Sequence, residues 1–79
     1  MSLSKEKIYK EFLYQMEWFY RNYGNKWRYE DFSKAIRNNI DKIQNLISFL
    51  EKKGFLQKID NEEIVILKLP PKFEEVKDV

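Results

Sequence analysis

The stretch Leu50-Glu51-Lys52-Lys53-Gly54-Phe55-Leu56 leaves the chain few ways to continue. Gly54 suits the position just past a helix C-terminus, where the backbone turns left-handed and a side chain would clash. Lys52 and Lys53 fall in the last helical turn, where positive charge meets the negative end of the helix dipole. An apolar helix precedes this stop. After it come residues 55–59, the polar turn Asp60-Asn61-Glu62-Glu63 and the apolar run 64–69, which together read as a two-stranded hairpin.

Length and composition narrow the class. A chain of 79 residues makes one small domain, able to hide roughly 60% of the surface of its unfolded state, with stability on the order of 4 to 12 kcal/mol. The absence of cysteine and histidine excludes disulfide stapling, Cys/His zinc sites and histidine acid/base chemistry. No apolar run approaches the roughly 20 residues of a membrane span, and Met1-Ser2-Leu3-Ser4 lacks a signal peptide's hydrophobic stretch. A cytoplasmic protein is expected. The abundance of Lys, Glu, Ile and Tyr without Cys points to a thermophilic source, and the several Asn residues point the other way. A net charge of +2 says little about partners; the distribution of charge matters more.

Along the chain, Ser4 is placed to cap a first helix opened by Lys5-Glu6-Lys7. On a helical wheel Ile8, Tyr9, Phe12, Leu13, Met16, Phe19, Tyr20 and Tyr23 share one broad arc, the core face of an amphipathic helix that Gly24 ends. Lys7, Lys10, Glu17 and Arg21 lie opposite, and so do Tyr14 and Trp18, four residues apart and predicted to form one patch outside the core. Residues 25–28 suit a brief strand. Residues 29–36 read as a second helix, with Glu30 and Asp31 in its first turn and Phe32, Ala35 and Ile36 inward. Arg37-Asn38-Asn39 is the turn. With Asn38 as cap, Asp41 stands at the third helical position in imitation of a capping box. The third helix is predicted over about 40–53, burying Ile40, Ile43, Leu46, Ile47 and Leu50 with Phe49 at the margin.

In the hairpin Val65, Leu67 and Leu69 alternate as a half-buried strand should, while Ile64 and Ile66 fall on the other face with Lys68. Pro70-Pro71 ends the ladder. Residues 1–69 are thus read as the domain and residues 70–79 as a short acidic C-terminal tail, apolar only at Phe73, Val76 and Val79 beyond the prolines.

The order helix, short strand, helix, helix, hairpin over residues 8–69, with Tyr29-Glu30-Asp31-Phe32-Ser33-Lys34-Ala35-Ile36, a polar turn and the Leu50 to Leu56 ending, resembles the winged helix-turn-helix family. The resemblance implies an α+β domain of three helices with a C-terminal β-hairpin wing; a plain three-helix bundle carrying a hairpin is the other arrangement of these elements. It also implies double-stranded DNA binding, by a small transcription regulator or an accessory DNA-binding protein, with the third helix in the major groove and the wing against the backbone or minor groove. On that helix Gln44 and Asn45 offer donor and acceptor to an adenine edge, Ser48 serves either role, and Lys42 or Lys52 reaches phosphate or guanine. Arg37, Asn38 and Asn39 add a cation and two hydrogen-bonding side chains beside a helix N-terminus. Any soluble helix also needs a polar face, so these residues fit a plain solvated surface too.

The wing departs from the DNA-binding pattern. A tip of Asp60-Asn61-Glu62-Glu63 is repelled by phosphate, which raises the alternative of a winged helix serving as a protein-interaction module in a replication, transcription or division complex. Tyr14 and Trp18 suit a homodimer or partner interface, or a surface that the tail or the hairpin covers. The carboxylate pairs Glu30/Asp31, Glu62/Glu63 and Glu74/Glu75 are sequence neighbours at element ends, and no phosphate loop or nucleophile motif accompanies them. Catalysis, metals and cofactors are not expected.

Overall fold

The computed structural model describes residues 4–79; residues 1–3, from which the absence of a signal peptide is argued above, lie outside them. Helix α1 spans Lys5–Asn22, and the Ser4 hydroxyl accepts from the Lys7 amide at 3.2 Å as its N-cap. Ile8, Tyr9, Phe12, Leu13, Met16 and Phe19 are buried along one face. Tyr20 and Tyr23 do not join them. Tyr20 lies toward the edge of the apolar arc, and Tyr23 is already outside the helix, where its ring turns onto Trp18 at 4.8 Å. Gly24 follows at φ +120°.

Strand β1, Lys26–Arg28, leads into a 3-10 turn over Tyr29–Asp31. The predicted helix over 29–36 therefore starts later: Phe32 and Ser33 are extended, and α2 covers Lys34–Arg37. The cause is Ser33, which caps α2 by accepting from the Ile36 amide and is itself tied to α1. Its amide donates to Gln15 Oε1 at 3.0 Å, and Gln15 Nε2 donates back to its hydroxyl at 2.8 Å.

The third helix is also shorter than periodicity suggests. A 3-10 turn at Ile40–Ile43 precedes α3, Gln44–Lys52, and Ile43 (φ −106°, ψ 9°) marks the change of pitch. The capping box on Asn38 does not form. Asn38 ends α2, and Asn39 sends its side-chain amide back to the Ala35 carbonyl at 2.7 Å instead. At the other end the glycine stop is complete: Gly54 sits at φ +82°, its amide bonds the Glu51 carbonyl, and the Phe55 amide bonds Leu50 at 2.8 Å. This pair of bonds is the Schellman motif, which satisfies carbonyls left open at a helix end.

Strands β2 (Leu56–Lys58) and β3 (Glu63–Ile66) form the wing. The sheet is antiparallel with order β1-β3-β2, pairing Trp27 with Ile64 and Leu56 with Ile66. Of the two candidate faces, Ile64 and Ile66 are the buried one. The alternation through Leu67 and Leu69 does not continue inward, because β3 ends at Ile66 and both leucines are exposed. Three helices and this sheet give the α+β layout of a winged helix. Among the described residues no helix is long and apolar enough to cross a membrane.

Residues 70–79 are not a free tail. A 3-10 turn at Phe73–Glu75 packs against α1, Val76 is fully buried in the core, and Lys5 Nζ donates to the Val79 carbonyl at 3.0 Å. Glu74, Glu75 and Asp78 stay outside. The sequence shows only sparse apolar residues here, and their 3-10 spacing matches neither helix nor strand periodicity. Val76→Ala should lower stability by about 1 to 3 kcal/mol through lost burial and the cavity left behind. Urea unfolding checks this; an unchanged midpoint would remove the segment from the core.

Candidate nucleic-acid interface

Helix α3 buries Leu46, Ile47 and Leu50, so at 100° per residue Asn45, Ser48 and Lys52 share the opposite, exposed stripe. Lys42 is exposed on the preceding 3-10 turn, and Arg37 and Asn38 are exposed at the end of α2. Among the described residues none of these six side chains makes a hydrogen bond or ion pair. They share one exposed run of surface, from the turn along α3.

Gln44 and Asn39 differ. Gln44 Nε2 donates to the Ile40 carbonyl at 3.1 Å, and Asn39 Nδ2 donates to Ala35, so both are half-buried and satisfy backbone acceptors where regular helix is interrupted. Their local role follows from the 3-10 geometry of Ile40–Ile43, which the sequence pattern did not distinguish from α-helix. Glu51, an acid on α3, is turned aside as well: its carboxylate accepts from the Lys58 amide at 3.0 Å.

The wing tip is less isolated than its sequence implies. Glu62 Oε2 lies 2.7 Å from Arg28 NH2, Glu30 Oε1 lies 3.1 Å from Arg28 Nε, and Glu63 approaches Lys26 at 3.9 Å. The Asp60 carboxylate accepts from the Glu62 amide at 2.7 Å, and the Tyr29 amide donates to the Glu62 carbonyl, so the loop is pinned. Sequence reasoning missed Arg28, whose partner stands 34 residues away. The β1 to β3 register would have supplied the signal, since it sets Arg28 opposite Glu63.

A cleft of about 260 Å³ lies between the wing tip and the turn, lined by Arg28, Tyr29, Glu30, Arg37, Ile40 and Glu62. The Tyr29 hydroxyl beneath it is buried with no hydrogen-bond partner among the described residues. Burial raises its pKa, and the carboxylates of Glu51 and Asp60 raise it further, so the phenol holds its proton. No three His, Cys, Asp or Glu side chains among the described residues are grouped to hold a metal ion.

On the far face Tyr14 is 66% and Trp18 43% exposed. Neither the C-terminal segment nor the hairpin hides them. Pro71, Lys72 and Phe73 border a groove beside Tyr14, and Lys7 and Ala35 border another. Trp18 packs against Tyr23 and Phe19, which enlarges the aromatic surface toward Trp27 rather than toward Tyr14. Tyr23 and Trp27 are thus additions that the helical wheel did not identify. The chain matches no model of a known protein family, no curated protein and no solved structure.

Tyr29→Phe should hold or raise stability, by up to about 1 kcal/mol, because it removes a buried donor without an acceptor. The raised folded-state pKa means that the native state keeps this proton where the unfolded chain loses it, so the fold loses stability as pH rises above 10. The variant should therefore show a shallower alkaline loss of stability in denaturation followed from neutral pH upward; a steeper loss would contradict this.

Proposed function

We propose that the domain binds double-stranded DNA, with α3 presented to the major groove, as a cytoplasmic transcription regulator or accessory DNA-binding protein. The observation that carries the reading is the set of six exposed polar side chains without internal partners. Asn45 and Ser48 have donors and acceptors available for base edges, and Arg37, Lys42 and Lys52 provide charge for phosphates. An α-helix about 10 to 12 Å across with its side chains matches a major groove about 12 Å wide. The ion pairs that occupy the acidic wing tip support a docking in which the turn and α3 make the principal contacts with the duplex.

Tyr14, Trp18 and the adjoining Tyr23 favour a homodimer through α1. A twofold contact would present two recognition helices to half-sites about 34 Å apart. The exposed aromatics and the acidic tip equally favour the second reading, a protein-interaction module, which predicts no duplex affinity at low salt.

Arg37→Ala, Lys42→Ala and Lys52→Ala should each weaken binding to random duplex and flatten the dependence of log K on log salt by about 0.9. Fluorescence anisotropy at two salt concentrations reads this, and unchanged slopes in all three would overturn the docking. Asn45→Ala should cost roughly 1 to 3 kcal/mol on a cognate site and spare random DNA; equal losses on both would show that Asn45 reads no base.

The double change Tyr14→Ser with Trp18→Ser should give a folded monomer with weaker DNA binding. Sedimentation of the wild-type chain as a monomer at high concentration would remove the homodimer.

A further inference from the structure

The cleft between the wing tip and the turn after α2 holds two arginines in different states. Arg37 makes no ion pair among the described residues, whereas Arg28 is engaged on two edges, by Glu30 at Nε and by Glu62 at NH2. A guanidinium has five N–H donors in a planar fork and binds carboxylate and phosphate oxygens with the same geometry. The Glu62 carboxylate therefore occupies a position that suits a phosphate oxygen. Its hold is loose: the Glu62 side chain is 73% and that of Arg28 45% exposed, and ion pairs in such surroundings are weak. The backbone of Glu62 is fixed by the Tyr29 and Asp60 bonds, so the carboxylate can swing aside without moving the wing.

We propose that the cleft between Arg28 and Arg37 takes a backbone phosphate of the bound duplex, and that Glu62 covers Arg28 as an internal substitute for that phosphate. This rests on the DNA reading above and assigns the acidic wing tip a role within it. Displacing Glu62 opens the NH2 edge of Arg28, while Glu30 keeps the guanidinium oriented through Nε. A phosphate entering there meets Arg37 as a second cation and repels the departing carboxylate, so the exchange is two-way. Glu62 lowers affinity for any DNA that cannot seat a phosphate in the cleft.

A double-mutant cycle on the full chain tests this, using Glu62→Gln, Arg28→Ala and their combination with a short random duplex at low salt. Both changes lie at exposed side chains, and circular dichroism checks the fold. Glu62→Gln should bind about threefold to tenfold tighter, because the phosphate no longer has to displace a carboxylate from Arg28, with the salt slope unchanged since the number of phosphate contacts is the same. In the Arg28→Ala background the same change should give no gain, because the liberated group is gone. An equal gain in both backgrounds would mean simple relief of repulsion and would overturn the proposal. So would a wild-type protein that binds DNA and a Glu62→Gln variant that binds no better. Absence of binding by every variant would overturn the DNA reading and this inference with it.

Discussion

Strand β3 lies between β1 and β2, and the burial of Ile64 and Ile66 fixes how both of them pair with it. A slip of one residue would turn both isoleucines to solvent and bring Val65 and Leu67 inward, so the register is set by the hydrophobic term rather than by the hydrogen bonds, which any register can form. Much of the surface chemistry depends on that register. It places β1 alongside the wing, sets Arg28 beside the Glu62 loop, and brings the Tyr29 amide onto the Glu62 carbonyl. The wing is thereby braced at its base against the strand that leads into the helix-turn-helix.

The helical half is held by a different device. The reciprocal bonds between Gln15 and Ser33 fix the start of α2 on α1, and the half-buried setting makes each bond costly to break. From there one 3-10 segment, Ile40–Ile43, and two side-chain amides carry the chain into α3. Asn39 and Gln44 satisfy carbonyls at those interruptions, which leaves Asn45, Ser48 and Lys52 without internal duties. Local polar satisfaction and an available binding surface are thus divided between neighbouring residues of similar chemistry.

The parts of this fold that were legible in the sequence are those governed by local rules. The Ser4 cap, the Gly54 stop and the core face of α1 from Ile8 to Phe19 depend on residues within one or two turns, and each stands where the pattern places it, whereas Tyr20 and Tyr23 at the end of that face do not. Helix limits fared worse, since apolar spacing cannot tell a 3-10 turn at Ile40–Ile43 from the α-helix it precedes, and a serine inside a helical pattern does not announce that it caps. Tyr23 fits the wheel yet leaves it, because a wheel has no end. Val76 and the Arg28 to Glu62 pair were beyond reach for a common reason: their partners are distant in sequence, and only the three-dimensional register brings them together. For the candidate interface, the polar identity of α3 was readable, whereas which of its side chains are occupied locally was not.

The contact between Lys5 and the Val79 carbonyl brings residues 74 positions apart in sequence to 3.0 Å. The C-terminal segment thus packs back onto α1, the first element of the described chain. The loop at residues 59–62 is braced by β1, and the bend around Gly24 is held as well: the Trp27 indole donates to the Gly24 carbonyl at 3.0 Å and the Ile66 amide to the Asn25 carbonyl at 2.7 Å. Opening either loop would therefore loosen the same sheet, so the fold depends on both connections.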